Sequence, residues 1–307
     1  MTASSIAVDH AGYRSAVRRV IAHHPVATFL LLMMSISTAV AVVPPLNRPG
    51  ALPFGLAFSD SLGPILASAL PAFVVVAAVG GRQGVRELAG RCFRWRVRLR
   101  WYGLALLSVP LSVLLVTVVI YGPGMLEVIA DRWVLILTTT LPHLLILIIF
   151  CIVAEEAGFL GFLQARWQDR FGPVAASALV ALPFAAYHLP GTMVANGFGL
   201  AQLHLALAYV AVVGVIQLFG RVLFMWLYNV TGASVLLAGI WHSSFDVTTT
   251  AFGRTFALPD AGASAAVTGY WIPSAIVVAF ALALIALTRG RLGDPAERRH
   301  KARPGIQ

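Results

Sequence analysis

Long apolar stretches separated by short polar or arginine-rich segments make up most of this sequence. The pattern predicts eight membrane-spanning helices, at residues 26–43, 62–80, 104–121, 134–164, 174–188, 205–228, 233–250 and 271–288. About 20 apolar helical residues cross the roughly 30 Å hydrocarbon core of a bilayer. All but the fifth stretch meet that length, and the fifth does so if its helix begins near Asp169. We therefore predict an all-α polytopic membrane protein with about eight transmembrane helices.

The composition supports this class. The 307-residue chain is 59% hydrophobic and only 11% charged, whereas about a quarter of the residues in soluble domains are charged. A net charge of +10 could indicate nucleic-acid binding, but the arginines lie between apolar stretches rather than on a soluble surface. They indicate membrane topology instead, and we expect no nucleic-acid partner.

Basic residues mark one side of the predicted helices. With the amino terminus inside, all 22 lysines and arginines except Arg48, Arg132 and Arg254 fall on the cytoplasmic side, as the positive-inside rule requires. We expect a multi-pass cell-membrane protein with both termini cytoplasmic. Its parts are a cytoplasmic amino-terminal segment at 1–25, a membrane domain at 26–288 and a basic cytoplasmic tail at 289–307. A cleaved secretory signal is the alternative for the first stretch, but its polar head is long and further spans follow.

The densest charge in the chain lies at residues 82–100, where seven arginines accompany the single acid Glu87. We expect a cytoplasmic loop that contains an amphipathic helix lying on anionic lipid. Phe93, Trp95 and Trp101 would then sit at the interface. A specific ligand site is the alternative for this segment.

Among the ionisable side chains inside the apolar stretches, five are candidates for a functional site. They are Glu155, Glu156, His188, His242 and Asp246. Ionisable residues are costly at membrane depth, which makes them candidates for function. At about 1.5 Å per helical residue, Glu155, His188 and His242 lie roughly 16, 22 and 15 Å from the cytoplasmic surface. These depths are similar, and His242 and Asp246 share a helix face. We therefore predict that the five residues line one membrane-embedded catalytic cavity.

These residue types suit hydrolysis of an amide within the membrane. A carboxylate in apolar surroundings can act as a general base, and an imidazole beside it can help to deprotonate a water. A second imidazole with a carboxylate partner can stabilise the oxyanion of a tetrahedral intermediate. Glu155 and Glu156 point about 100° apart on an α-helix. We therefore expect one of them to activate water and the other to support the local structure.

Other polar and small residues in the apolar stretches have simpler interpretations. His143 and His204 match no motif, and we expect them to be satisfied core residues. Gly158 and Gly161 predict close helix packing. The two cysteines form no pattern that resembles a disulfide framework or a zinc knuckle.

Three segments, in order along the chain, resemble the motifs of a known family. EEAGFLGFL from Glu155, FAAYH ending at His188, and HSSFD from His242 to Asp246 are similar to motifs of the CAAX protease and bacteriocin-processing family (CPBP, or Abi). This family consists of intramembrane proteases, and the resemblance spans about residues 82–250. It implies an eight-helix fold and an endopeptidase that hydrolyses a CAAX-type or bacteriocin-like membrane-associated polypeptide. By resemblance, Glu155 and His188 would activate water, while His242 and Asp246 would stabilise the oxyanion.

The resemblance is compatible with a metal-dependent mechanism and with a metal-independent one. Members of the family are commonly labelled metalloproteases, but a metal-independent glutamate mechanism is also compatible with it. Glu155, His188 and His242 are the candidate ligands of zinc or another divalent metal. The spacing is not the HExxH type, in which two histidines share one helix.

One position departs from the family. Leu160 stands where the first motif has an arginine. Arg221 is a candidate substitute, although snorkelling of its side chain toward the interface is the favoured interpretation. The departure keeps a second function open, that of a non-catalytic membrane peptide-binding or immunity protein with the protease fold. A proton-coupled transporter would also explain buried Glu and His, but no inverted repeat is visible.

Overall fold

The computed structural model describes residues 16–41, 65–195, 199–252 and 271–294, and within these ranges the chain is helical without a strand. The expected all-α class is therefore confirmed. The head at 1–15, the span ends at 42–43 and 62–64, and the tail from 295 lie outside the described residues. Arg48 and Arg254, two of the three basic residues expected outside the cell, also lie outside them.

Eleven α-helices are described in these ranges, joined in places by π-helical or 3₁₀ turns. They are α1 (Ala16–His23), α2 (Pro25–Ala41), α3 (Leu70–Cys92), α4 (Leu99–Tyr121), α5 (Gly124–Asp131), α6 (Trp133–Phe150), α7 (Ala165–Phe171), α8 (Pro173–Ala195), α9 (Leu203–Val230), α10 (Val235–Val247) and α11 (Ile272–Thr288). A π-helical turn at Ile65–Ala69 precedes α3. A longer π-helix, Cys151–Gln164, connects α6 to α7 and is called the π segment below.

Five helices of the described chain are long and apolar enough to cross a membrane. They are Leu66–Cys92, Leu99–Tyr121, Trp133–Phe150, Pro173–Val194 and Leu200–Val230. The number rises to six if α1 and α2, which meet at a bend of 101°, form one span. α11 is apolar but shorter. The protein is thus a multi-pass membrane protein, and the count of eight spans stays a prediction.

The π segment is the centre of the fold. A π-helix is rare, and it occurs mostly as single turns that are often found at functional sites. This one is 14 residues long. It contacts α3, α6, α7, α8 and α10, and it contributes Leu160 to one buried apolar cluster and Phe159 to a second. Because a π-helix has more residues per turn than an α-helix, neighbouring side chains diverge by less than 100°.

Glycines allow the helices to approach the π segment closely. A Cβ on Gly158 would collide with Ser68, and one on Gly161 would lie 2.9 Å from Leu88 Cδ1. A Cβ on Gly239 of α10 would collide with Ile152 on the opposite side. The expected role of Gly158 and Gly161 in close packing is therefore confirmed.

α10 lies inside the bundle, since ten of its 13 residues are buried. It packs against the π segment, α4 and α6. Trp241 Nε1 donates to Ser108 Oγ at 3.0 Å, and Ser244 Oγ donates to the Leu106 carbonyl at 2.8 Å, so α10 is fixed to α4. Its first turn begins at Ser234, whose hydroxyl donates to the Arg94 carbonyl.

The arginine-rich segment is only partly the surface loop that the sequence predicts. α3 continues to Cys92 across a kink at Gly81, where φ is +59°. Phe93 and Trp95 are exposed, as expected for side chains at an interface. Arg91, in contrast, turns toward the protein, and its Nη1 donates to the Gly161 carbonyl at 3.1 Å.

Candidate active site

Glu155 lies between two histidines that come from different helices. Its Oε1 is 3.9 Å from His188 Nε2, and its Oε2 is 3.6 Å from His242 Nδ1. The residue is buried, with 8% of its surface exposed. Its backbone carbonyl accepts a hydrogen bond from Ser68 Oγ. Both distances exceed a direct hydrogen bond, so the Glu155 carboxylate keeps acceptor capacity for another molecule.

His188 is oriented by the helix that carries it. Its Nδ1 donates to the Phe184 carbonyl at 2.8 Å, which leaves Nε2 as the nitrogen that faces Glu155. The imidazole ring contacts the rings of Phe184 and Tyr187, with centroid distances of 4.8 and 4.9 Å. The side chain is 29% exposed, so this edge of the site is partly open.

Glu156 is fully buried and engaged on both oxygens. Arg221 Nη1 donates to Oε2 at 2.7 Å, and His242 Nδ1 donates to Oε1 at 2.9 Å. Both glutamates therefore reach His242, and the smaller angle between neighbouring side chains in a π-helix favours this. The two adjacent acids differ sharply in their free acceptor capacity.

Arg221 does not snorkel, so the interpretation favoured from the sequence is wrong. The residue has no exposed surface and pairs with Glu156 deep in the bundle. Its guanidinium carbon lies 4.3, 4.9 and 5.5 Å from the ring centroids of Phe184, Phe224 and Phe159. Cation–π contact with three rings accounts for an environment in which Nε and Nη2 have no hydrogen-bond partner.

His242 and Asp246 face each other one turn apart on α10. His242 Nε2 is 3.6 Å from Asp246 Oδ2, so both ring nitrogens of His242 point at carboxylate oxygens. The Asp246 side chain is 33% exposed. Its Oδ2 also accepts a hydrogen bond from Cys151 Sγ at 3.7 Å. All five candidate residues predicted from the sequence therefore come together at one place.

Cys151 is a site residue that the sequence reasoning missed. It is buried at the start of the π segment and contacts Asp246 across the bundle. Its position four residues before Glu155 was the available signal, because residues at that spacing share a helix face. The absence of a cysteine pattern along the sequence concealed it.

The residues present fit a divalent metal, although not in the expected combination. Donor atoms of Cys151, Glu155 and His242 all lie within 4.8 Å of one another. Thiolate, carboxylate and imidazole are the usual ligands of zinc in proteins. His188, the third candidate ligand expected from the sequence, is not part of this group. Cys151 takes its place among the residues that the structure describes.

One comparison bears on the family. Residues 136–248 match the family model described as type II CAAX prenyl endopeptidase Rce1-like. This segment is similar to the CAAX proteases. The resemblance noted from the three motifs is therefore confirmed over these residues, which include every candidate site residue. A comparison with curated proteins finds no match.

The family match and the apolar helices together indicate a kind of reaction and a kind of substrate. The CAAX proteases are hydrolases of peptide bonds. Similarity to this family indicates a membrane-associated protein or peptide as substrate. The apolar helices of this chain are consistent with such a protein.

Proposed function

We propose that this chain is an intramembrane endopeptidase that hydrolyses a peptide bond near the end of a membrane-associated polypeptide. The CAAX-type substrate is favoured over a bacteriocin-like one by the description of the matching family. The observation that carries the proposal is the pairing of Glu155 with His188: a buried carboxylate oxygen lies 3.9 Å from a ring nitrogen of a partly exposed histidine.

Glu155 and His188 are placed to activate a water. The 3.9 Å between Glu155 Oε1 and His188 Nε2 is longer than a hydrogen bond, and a shared water can bridge such a distance. Since Nδ1 of His188 already donates to a carbonyl, Nε2 can accept a hydrogen from such a water while Glu155 Oε1 accepts the other. The water oxygen then keeps its lone pairs for attack on a carbonyl carbon, and one of the two acceptors takes the proton.

His242 is the candidate donor to the oxyanion. Its Nδ1–H is committed to Glu156, while Nε2 faces the more exposed Asp246 carboxylate. When both nitrogens carry protons, the Nε2–H can turn from Asp246 to a developing negative charge. Asp246 itself can donate to an oxyanion only as the protonated acid. We therefore assign Asp246 mainly to the orientation of His242.

Glu156 has a different role from Glu155, although the two are adjacent. Because Arg221 and His242 occupy its oxygens, Glu156 serves as a fixed bridge rather than as a base. If a divalent metal binds, Cys151, Glu155 and an unprotonated nitrogen of His242 would hold it, and the ion would supply the polarisation that the His242 N–H supplies without it. The roles of His188 and Arg221 do not depend on that ion.

The topology that goes with this function is the one predicted from the charges. We propose that residues 26–288 form the membrane domain, that 82–250 form the protease core, and that both termini are cytoplasmic. Arginines of the segment 82–100 would then contact anionic lipid, except Arg91, which donates to Gly161.

Proteolysis in proteoliposomes tests the proposal, with prenylated and unmodified membrane peptides as substrates. Glu155→Gln and His188→Gln should each lower cleavage by about 10²- to 10⁴-fold, the usual range for a lost general acid–base group. Glu127→Gln and His204→Gln are matched controls, since both side chains are exposed elsewhere in the chain. The expectation that His204 is a core residue is therefore wrong. Cleavage by Glu155→Gln at the wild-type rate would refute the proposal. A folded wild type that binds these peptides without cutting them would indicate the non-catalytic alternative.

A further inference from the structure

A buried guanidinium requires a reason, because removing a charge from water is costly unless it is paired. Arg221 is the largest side chain among those with no exposed surface in the described chain. It lies on α9, outside all three motifs. Within the described residues it forms an ion pair with Glu156, at 2.7 Å. This ion pair lies next to the candidate catalytic residues.

The ion pair of Arg221 and Glu156 is hydrogen-bonded to His242, a candidate catalytic residue. Arg221 holds Oε2 of Glu156, and the other carboxylate oxygen, Oε1, accepts from His242 Nδ1. Rotation of the Glu156 carboxylate would break both bonds, so the arginine also fixes the ring of His242. Residues that orient a catalytic group in this way affect activity without touching substrate.

The backbone of Arg221 is held as firmly as its side chain. Its carbonyl accepts hydrogen bonds from Gln164 Nε2 at 2.9 Å and from Ser177 Oγ at 3.1 Å. Gln164 Nε2 also donates to Ser177 Oγ. These three residues belong to α9, the π segment and α8, so the guanidinium is positioned by three elements at once.

The first motif lacks a cation of its own. Leu160, one turn after Glu156, is completely buried among apolar residues that include Val222 and Phe224. Position 160 therefore offers Glu156 no charge partner, while α9, which packs beside it, supplies one. We propose that Arg221 is a positioning residue that provides, from a neighbouring helix, the cation that position 160 does not. It fixes Glu156 and, through Glu156, the ring of His242.

This proposal rests on the proposed protease function, and kinetics of three variants test it. Arg221→Lys keeps the charge but loses the planar contact with the three phenylalanine rings. We expect kcat to fall roughly 10-fold in Arg221→Lys and about 100-fold in Arg221→Leu, with KM little changed, because outer positioning contacts are typically worth 10–100-fold. An unchanged kcat in folded Arg221→Leu would overturn the proposal.

A relocation of the charge gives the sharper test. The double variant Leu160→Arg with Arg221→Leu places one arginine about one turn after Glu156, where we expect it to pair with the buried acid. We expect it to recover at least about 10-fold of the kcat that Arg221→Leu loses, within the range for such contacts. Single Leu160→Arg is the control, and it should not gain activity. A folded double variant without recovery would contradict the proposal, since the two positions would not serve the same carboxylate.

A substrate-independent measurement separates failure of this proposal from failure of the proposed function. The ring nitrogens of His242 are observable by ¹⁵N NMR and can be assigned with His242→Gln. Arg221→Lys should shift their signals, whereas Arg132→Lys should not. If wild type cleaves nothing, the protease function fails, yet the His242 signals still decide the role of Arg221. Identical signals in wild type and Arg221→Lys would refute the positioning role.

Discussion

A carboxylate whose two oxygens both accept short hydrogen bonds has little capacity left to take a proton from water. This distinction separates Glu155 from Glu156. Glu156 accepts at 2.7 and 2.9 Å, whereas Glu155 has no side-chain contact shorter than 3.6 Å among the ion pairs of the described chain. These contacts support the proposal that Glu155 is the base and Glu156 the support. The residues alone predicted one of each, and the resemblance assigned water activation to Glu155.

The donor set around Cys151 leads to a prediction about metal binding. Because thiolate, carboxylate and imidazole atoms lie within 4.8 Å of one another, we expect added Co²⁺ to bind there. Thiolate ligation gives a charge-transfer absorption in the near ultraviolet, which purified protein in detergent should show on titration. Cys151→Ser should lose that band and release fewer protons on binding, because the thiol must deprotonate to bind.

Cys92→Ser is the matched control for this titration, since Cys92 is also buried but lies at the end of α3. It should leave the band unchanged. A wild-type protein that shows no thiolate band at saturating Co²⁺ would exclude Cys151 as a ligand. The role of His188 and Glu155 as water acceptors would be unaffected.

At the scale of elements, the π segment determines which side chains can meet. Its wider turn favours the contact of both Glu155 and Glu156 with the same histidine, and its glycines allow Ser68 and Leu88 to pack closely. Hydrophobic periodicity predicted a helix there but could not distinguish a π-helix from an α-helix. The difference arises from packing on all sides, which a single sequence does not display.

Close packing at Gly158 predicts a stability effect. A methyl group there would meet both the side chain and the backbone of Ser68, so the neighbouring turn has to move. We expect Gly158→Ala to destabilise the protein by about 1–3 kcal/mol, the usual cost of overpacking. Thermal unfolding in detergent micelles measures this effect.

Gly103→Ala is the comparison for that measurement. Gly103 lies in α4, and a Cβ there would meet nothing within 4 Å. Alanine should stabilise a helix interior by up to about 1 kcal/mol relative to glycine. Equal unfolding temperatures for the two variants would show that the contact between the π segment and Ser68 is looser than described.

Over the whole molecule, the sequence predicted which segments carry the site residues. It did not predict which helices lie beside one another. Counting residues from the predicted cytoplasmic ends of the helices placed Glu155, His188 and His242 at similar depths. In the structure the Glu155 carboxylate lies 3.9 Å from His188 and 3.6 Å from His242. The partner of Arg221 depends on which helix lies beside the π segment. That neighbour is set by tertiary packing, and so the sequence favoured snorkelling instead.

The orientation of the bundle gives the last prediction. Charge counting places the turn after the π segment in the cytoplasm and the connection between α4 and α6 on the opposite side. Asp169 and Glu127 are exposed residues of these two segments. In a chain with Cys92 and Cys151 replaced by serine, we introduce Asp169→Cys or Glu127→Cys. A membrane-impermeant maleimide should then label Asp169→Cys in inverted vesicles and Glu127→Cys in right-side-out vesicles.

The same two variants also bear on access to the site. Glu155 lies 14 residues before Asp169 along the π segment and α7, so labelling of Asp169→Cys from the cytoplasm places the Glu155 carboxylate below that surface. A polypeptide anchored in the inner leaflet could then present its end to the exposed edge of His188. Labelling of both cysteines from one side would contradict the topology, and with it an inner-leaflet substrate. It would leave the contacts among Glu155, His188 and His242 intact, because these do not depend on which way the bundle is inserted.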